Sequence, residues 1–223
     1  MKASNILLVL MLSMFLTAVV ASDLLLKKGF DKLDKKDQYI GYKDHSVAPF
    51  HYVQLHGKHY GITEITSGED YEIKSNLDQK NLSWKVVNDT LKVSYDKESP
   101  QGWQFTENIF YAKPAVYIFT PKLAGLESNG IICKIKGFED EKLNVRQRGN
   151  GILLSDNHIS GLDAQFSAGA TVKVNGKNRF GESKVVVKDS STFGVDEDVF
   201  ESIDLNVESG AHANLPGSLL EKL

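Results

Sequence analysis

The chain has 223 residues, 41% apolar and 25% charged, with 18 glycines against 5 prolines. That length suits one domain of ordinary size with a sizeable core, and the composition excludes a disordered or collagen-like chain. A formal charge of -3 argues against a nucleic-acid partner, which would need a strong basic stripe. The single cysteine, Cys133, excludes an internal disulfide and a cysteine-based zinc cluster.

At the N-terminus, Lys2 precedes an apolar run from Ile6 to Ala21, with small residues at Ala21 and Ser22. This is the pattern of a secretory signal. No cysteine follows the run, which argues against a lipid-anchored lipoprotein. Leu24, Leu25 and Leu26 prolong it towards the roughly 20 residues of a bilayer span. Residues 1–22 therefore read as a signal peptide or a membrane anchor. Lys27, Lys28, Lys32, Lys35 and Lys36 follow, and positive charge favours the cytoplasmic side. The export pattern is given precedence here, so the expected domain faces outward. Residues 23–48, rich in Lys and Asp, read as a charged juxtamembrane spacer, and 49–223 as the folded domain.

From Phe50 the apolar period becomes two: Val53 and Leu55 alternate with Tyr52, Gln54 and His56, and Gly57 is expected to break the run. Residues 71–75 predict a second short strand. Leu82, Trp84 and Val86, then Asn88-Asp89, then Leu91, Val93 and Tyr95 predict a hairpin. A two-residue Asn88-Asp89 loop sets Val87 opposite Thr90, Val86 opposite Leu91, Trp84 opposite Val93 and Leu82 opposite Tyr95. Residues 96–114 read as a loop with an aromatic tip, and 115–119 as a strand ended by Pro121.

Beyond Pro121 the chain is self-similar. Residues 128–137, from Ser128-Asn129-Gly130 to Gly137, align with 167–176, from Ser167-Ala168-Gly169 to Gly176, and more weakly with 209–217. Gly149 and Thr192 mark two further turns, giving a spacing of about twenty residues across 130, 149, 169, 192 and 210. Short alternating strands at that period predict a β-solenoid, in which each coil buries its apolar side chains against the next.

These residues resemble the auto-transporter adhesin head GIN domain family of bacterial envelope proteins. The resemblance rests on Phe50-His51-Tyr52-Val53-Gln54-Leu55-His56-Gly57, residues 88–93, residues 116–123 and the repeated Ser-x-Gly coils, and spans about residues 49–217. It implies an all-β, right-handed, single-stranded β-solenoid (β-helix) with no catalytic residues to carry over. The sequence departs from the family pattern at 189–193, which lacks a turn glycine, and at Pro216.

Candidate chemistry is sparse. His51 and His56 point to opposite faces of one strand, with His59 beyond Gly57, which disfavours a metal site. Glu139-Asp140-Glu141 and Asp196-Glu197-Asp198 are acidic loops that could hold calcium but are better read as solvated turns. Asp156 and Asp163, flanking a coil corner, are the candidates for a polysaccharide lyase or hydrolase. Asn81-Leu82-Ser83 and Asn88-Asp89-Thr90 match the glycosylation sequon, and the second is accounted for by the hairpin turn. No catalytic, cofactor or metal residue is assigned. The expected function is a non-catalytic envelope module that binds a glycan or another envelope partner, with a carbohydrate-active enzyme as the alternative. Trp103, Phe110, Tyr111 and Tyr117 are the aromatics expected to bear on that choice.

Overall fold

The structure, a computed structural model, describes residues 3–31, 37–58, 61–96 and 104–223. Spacer residues 32–36, His59 and the loop 97–103 with Trp103 lie outside the described residues. The chain separates into two units, residues 1–42 and 43–223.

In the first unit, α1 (Ala3–Phe30) is one continuous helix with Lys27 and Lys28 in its last turn. Its stretch Asn5–Phe30, 26 residues, is long and apolar enough to cross a membrane by length and composition. At 1.5 Å per residue it reaches about 39 Å, against about 30 Å of hydrocarbon. Leu7, Leu12, Phe15 and Leu25 are all exposed, so no polar face directs it into a core.

The second unit is β throughout, apart from short turns. In chain order its strands are β1 (Lys43–Ser46), β2 (Tyr52–Lys58), β3 (Ile62–Ser67), β4 (Glu72–Ser75), β5 (Leu82–Val87) and β6 (Thr90–Asp96). A 3-10 turn (Glu107–Tyr111) leads to β7 (Val116–Thr120), β8 (Gly125–Asn129), β9 (Ile132–Lys136), β10 (Glu139–Arg148) and β11 (Gly151–Ser155). Then come β12 (His158–Ser167), β13 (Thr171–Val174), β14 (Arg179–Val187), β15 (Thr192–Val195), β16 (Phe200–Val207), β17 (His212–Asn214) and the short helix α2 (Gly217–Leu220).

These strands form two large mixed sheets. Sheet A runs β1-β4-β7-β3-β9-β11-β13-β15-β17, and sheet B runs β16-β14-β12-β10-β8-β2-β6-β5. From β8 onward the chain alternates between them, and each strand pairs in parallel with its counterpart one circuit later. Cys133, Ile152, Val172, Phe193 and Ala213 thus stand in one row of sheet A, about twenty residues apart. Leu126, Val145, Ala164, Val185 and Leu205 form the matching row of sheet B. Alternation turns both rows inward, where Val145, Val172 and Val185 are almost wholly buried. Phe166 stacks on Phe193 at 5.9 Å, and Phe180 on Phe200 at 5.2 Å.

The N-terminal end departs from a simple sequential stack of coils. β2 pairs with both β6 and β8, and β3 with both β7 and β9. The circuit of β6 and β7 therefore stacks on one side of β2 and β3, and the circuit of β8 and β9 on the other. Antiparallel strands β1, β4 and β5 complete that end. The hairpin from β5 to β6 has the register expected, Leu82 opposite Tyr95 and Val86 opposite Leu91, with Asn88 and Asp89 both at positive φ.

Four details correct the sequence reading. Residues 43–46, expected within the spacer, form an edge strand on β4. Gly57 does not break β2, because it stays paired with Tyr95, and a Cβ there would stand 2.0 Å from the Tyr95 backbone oxygen. Thr192 is not a turn marker but the first residue of β15; the turn uses Asp189, at φ 48°, in place of glycine. Phe110, expected in an exposed aromatic tip, is 1% exposed among Ile62, Ile132 and Leu153. It and Phe105 lie over Gly151, where a Cβ would meet both rings closer than 3 Å.

Candidate binding face

The outer face of sheet B carries two long rows of exposed and half-exposed residues in register, interrupted at Gly125. One row passes from Thr90 through Tyr52, Gly125, Asn144, Asp163 and Lys184 to Asp204. The adjacent row runs Lys92, Gln54, Glu127, Arg146 and Gln165. Parallel pairing sets successive members about 4.8 Å apart.

Tyr52 opens β2 and is 44% exposed, so the ring is presented rather than buried. It can lie low on the sheet because its neighbour in register is Gly125, whose missing Cβ would stand 3.0 Å from the Tyr52 Cδ1. A groove of about 340 Å³ lies beside it, lined by Gln54, Lys92, Glu127, Asn144 and Arg146. Gln54 Nε2 donates to Glu127 Oε2 at 3.0 Å, fixing both planar groups across the β2–β8 boundary. Arg146 Nη1 donates to Asp163 Oδ1 at 3.1 Å, and Asn144 Nδ2 to the Ala124 carbonyl at 3.3 Å.

A second groove, about 780 Å³, follows the bend in β10, β12, β14 and β16 and takes in Asp163, Glu182, Lys184, Asp204 and Lys222. In β12, Ile159 and Leu162 are buried with two exposed-side residues between them, which marks the bend. At the equivalent place Gly181 lies so close to the Ser160 carbonyl that a Cβ would stand 2.3 Å from its oxygen. Its lining mixes carboxylates and ammonium groups and contains no aromatic ring.

Asp156, Asp163, His51, His56, Asp140 and Asp198, singled out in the sequence, each have local partners among the described residues. Asp156 sits at φ 57° in the turn after β11 and accepts a hydrogen bond from Ser155 Oγ at 2.9 Å, whereas Asp163 is paired with Arg146. The two acids are thus engaged by different partners. His51 Nδ1 lies 2.8 Å from Asp89 Oδ1, and His56 Nε2 lies 2.8 Å from Ser94 Oγ. Asp140 Oδ2 accepts from the Leu123 N–H, and Asp198 Oδ2 lies 2.7 Å from Lys222 Nζ. Among the described residues no group of three or more His, Cys, Asp or Glu side chains could hold a metal ion.

Of the aromatics expected to mark a site, Phe110 and Tyr117 are buried, and Tyr111 is 69% exposed on the 3-10 turn. Tyr52, an exposed aromatic that does line a groove, was missed. Alternation alone places Tyr52 outside, beside inward Val53, but says nothing of the bare Gly125 in the next strand.

The outer face of sheet A is differently made. Lys74 reaches Glu72 at 3.0 Å and Asp44 at 3.1 Å, and Lys134 reaches Glu64 at 3.0 Å. Burial tends to lower the Lys74 pKa, but the two carboxylates outweigh it and raise the value. Asp196, Tyr111 and Glu107 likewise raise that of Lys173 against the effect of burial. These groups are largely satisfied by one another.

No family model and no curated protein matches the chain. Among solved structures, a "putative adhesin" from Bacteroides fragilis is similar at 14% identity and TM-score 0.46, over 78% of this chain and 96% of that one. A "putative adhesin" from Parabacteroides distasonis is similar at 12% identity and TM-score 0.30, over 78% and 96%. A "putative cell adhesion protein" from Clostridium sporogenes is similar at 10% identity and TM-score 0.26, over 78% and 98%. Each description belongs to the protein that bears it.

Proposed function

We propose that the chain is a non-catalytic bacterial envelope module that binds an extended partner along the outer face of sheet B. The observation that carries this reading is the pair of registered outer rows through Tyr52 and Gln54, which offer one side chain per circuit over several circuits. Such a ladder suits a partner that is itself a repeating chain. The N-terminal helix serves as signal or anchor and places the β unit, residues 43–223, outside the cytoplasmic membrane, with the charged segment ahead of β1 as the spacer. The folded part is read as a right-handed single-stranded β-solenoid of the head GIN type, modified by the inserted circuit at its N-terminal end.

The experiment is to incubate the full chain, in mild detergent, with a panel of envelope polysaccharides and measure both retention and newly formed chain ends. Retention of at least one polymer without new chain ends is the expected result. Cleavage that disappears in Asp163→Asn or Asp156→Asn would establish the enzyme instead.

A further inference from the structure

We infer that the groove beside Tyr52 is a saccharide subsite that takes a neutral pyranose residue of a glycan chain. This rests on the binding role proposed above and names its ligand class. A pyranose has one face of C–H bonds and a rim of hydroxyls, so its recognition needs an exposed aromatic ring beside planar donors and acceptors. Tyr52 supplies the ring, 44% exposed and set low by the missing Cβ of Gly125.

The rim groups are already held in place. Gln54 and Glu127 share one hydrogen bond, which leaves the Gln54 carbonyl oxygen and the second Glu127 oxygen for hydroxyls. Arg146 uses Nη1 on Asp163 and on the Val145 and Asp163 carbonyls, so its Nε and Nη2 donors remain. Asn144 donates to Ala124 and keeps its carbonyl oxygen. Groups fixed before binding lose little freedom when the ligand arrives.

Charge selects among saccharides. Arg146 is neutralised by its ion pair with Asp163, which leaves Lys92 and Glu127 flanking Gln54 in the groove. Lys85, opposite Lys92 on β5, lies outside the groove lining. The balance is neutral, and an acidic sugar would meet the Glu127 carboxylate. A uronic or sulfated chain is therefore disfavoured relative to a neutral hexose polymer.

The test presents the full chain in mild detergent to immobilised neutral, uronic and sulfated glycans at low and high salt. Expected is retention on at least one neutral glycan, little changed by salt. Tyr52→Ala is expected to weaken it at least about tenfold, as for an aromatic anchor, and Tyr52→Phe to keep most of it. Gln54→Leu preserves bulk while removing the amide, and gives a second route to the same loss if Tyr52→Ala fails to fold. Retention confined to anionic glycans and lost at high salt overturns the inference, as does no retention of any glycan. Glycan retention untouched by both Tyr52→Ala and Gln54→Leu overturns the site while leaving the binding role in place.

Discussion

Thr63 Oγ1 and the Tyr95 hydroxyl lie 2.6 Å apart in the interior, joining β3 of sheet A to β6 of sheet B. Both side chains are buried, so each hydroxyl is the other's replacement for water. Tyr95→Phe would leave Thr63 Oγ1 without this partner and is expected to cost about 1–2 kcal/mol. Chemical denaturation of the two proteins checks this; equal midpoints would show that the bond contributes nothing net.

Gly57 faces the backbone of Tyr95 at φ 111°, where any Cβ collides with the Tyr95 carbonyl. Gly57→Ala is therefore expected to lose about 2 kcal/mol or more, since backbone rather than a flexible side chain must move. Gly210→Ala, at φ 86° with open space around it, should lose less. Thermal unfolding of the pair orders the two effects, and the reverse order would contradict the pairing of β2 with β6.

Val172 is 2% exposed in the inner row, and Lys173 points outward to Glu107 and Asp196. Val172→Asp buries an unpaired carboxylate and is expected to cost on the order of 3 kcal/mol. Lys173→Gln removes partly exposed ion pairs and is expected to cost within about 1 kcal/mol. Equal shifts in unfolding temperature would reject the facing assigned to β13.

Cys133 is fully buried in the inner row of sheet A, and burial pushes its thiol up to about 12, against a lesser lowering by Ser128. In the unfolded chain the thiol ionises near 9.0, while the folded protein keeps it protonated. Its contribution is therefore complete below that pH and is lost progressively as pH rises towards the folded value, at up to about 1.4 kcal/mol per pH unit. Between pH 9 and 10 the stability of the native sequence is expected to fall more steeply than that of Cys133→Ala, by roughly 1 kcal/mol. Parallel stability curves for the two proteins would contradict the burial of this thiol.

The parts of the fold written in local pattern were legible, and those set by distant pairing were not. The hairpin could be placed residue by residue, because Asn88-Asp89 and the alternation from Leu82 to Tyr95 demand one register. The circuits after β8 were legible because turn glycines 130, 149, 169 and 210 take positive φ, while Asp189 hid one turn by doing the same without being glycine. The placement of β2 between β6 and β8 is a parallel pairing across a long stretch of chain, with no local turn to announce it. β3 was missed because Ile62, Thr63, Glu64 and Ile65 are all buried, Phe110 covering Ile62 from outside, so the strand lacks alternation. The candidate face depended on Gly125 lying beside Tyr52, a neighbour that only the register of β2 on β8 supplies.

The central claim is that the outer face of sheet B, and not that of sheet A, holds the partner. Its most direct test compares retention of the full chain on envelope polysaccharides after two pairs of small surface changes. Gln54→Ala with Asn144→Ala alters the rows of sheet B, and Thr171→Ala with Thr192→Ala alters one outer row of sheet A. The account predicts about tenfold weaker retention for the first pair, equivalent to roughly 1.4 kcal/mol, and unchanged retention for the second. Loss confined to the sheet A pair, or equal loss in both, would contradict it.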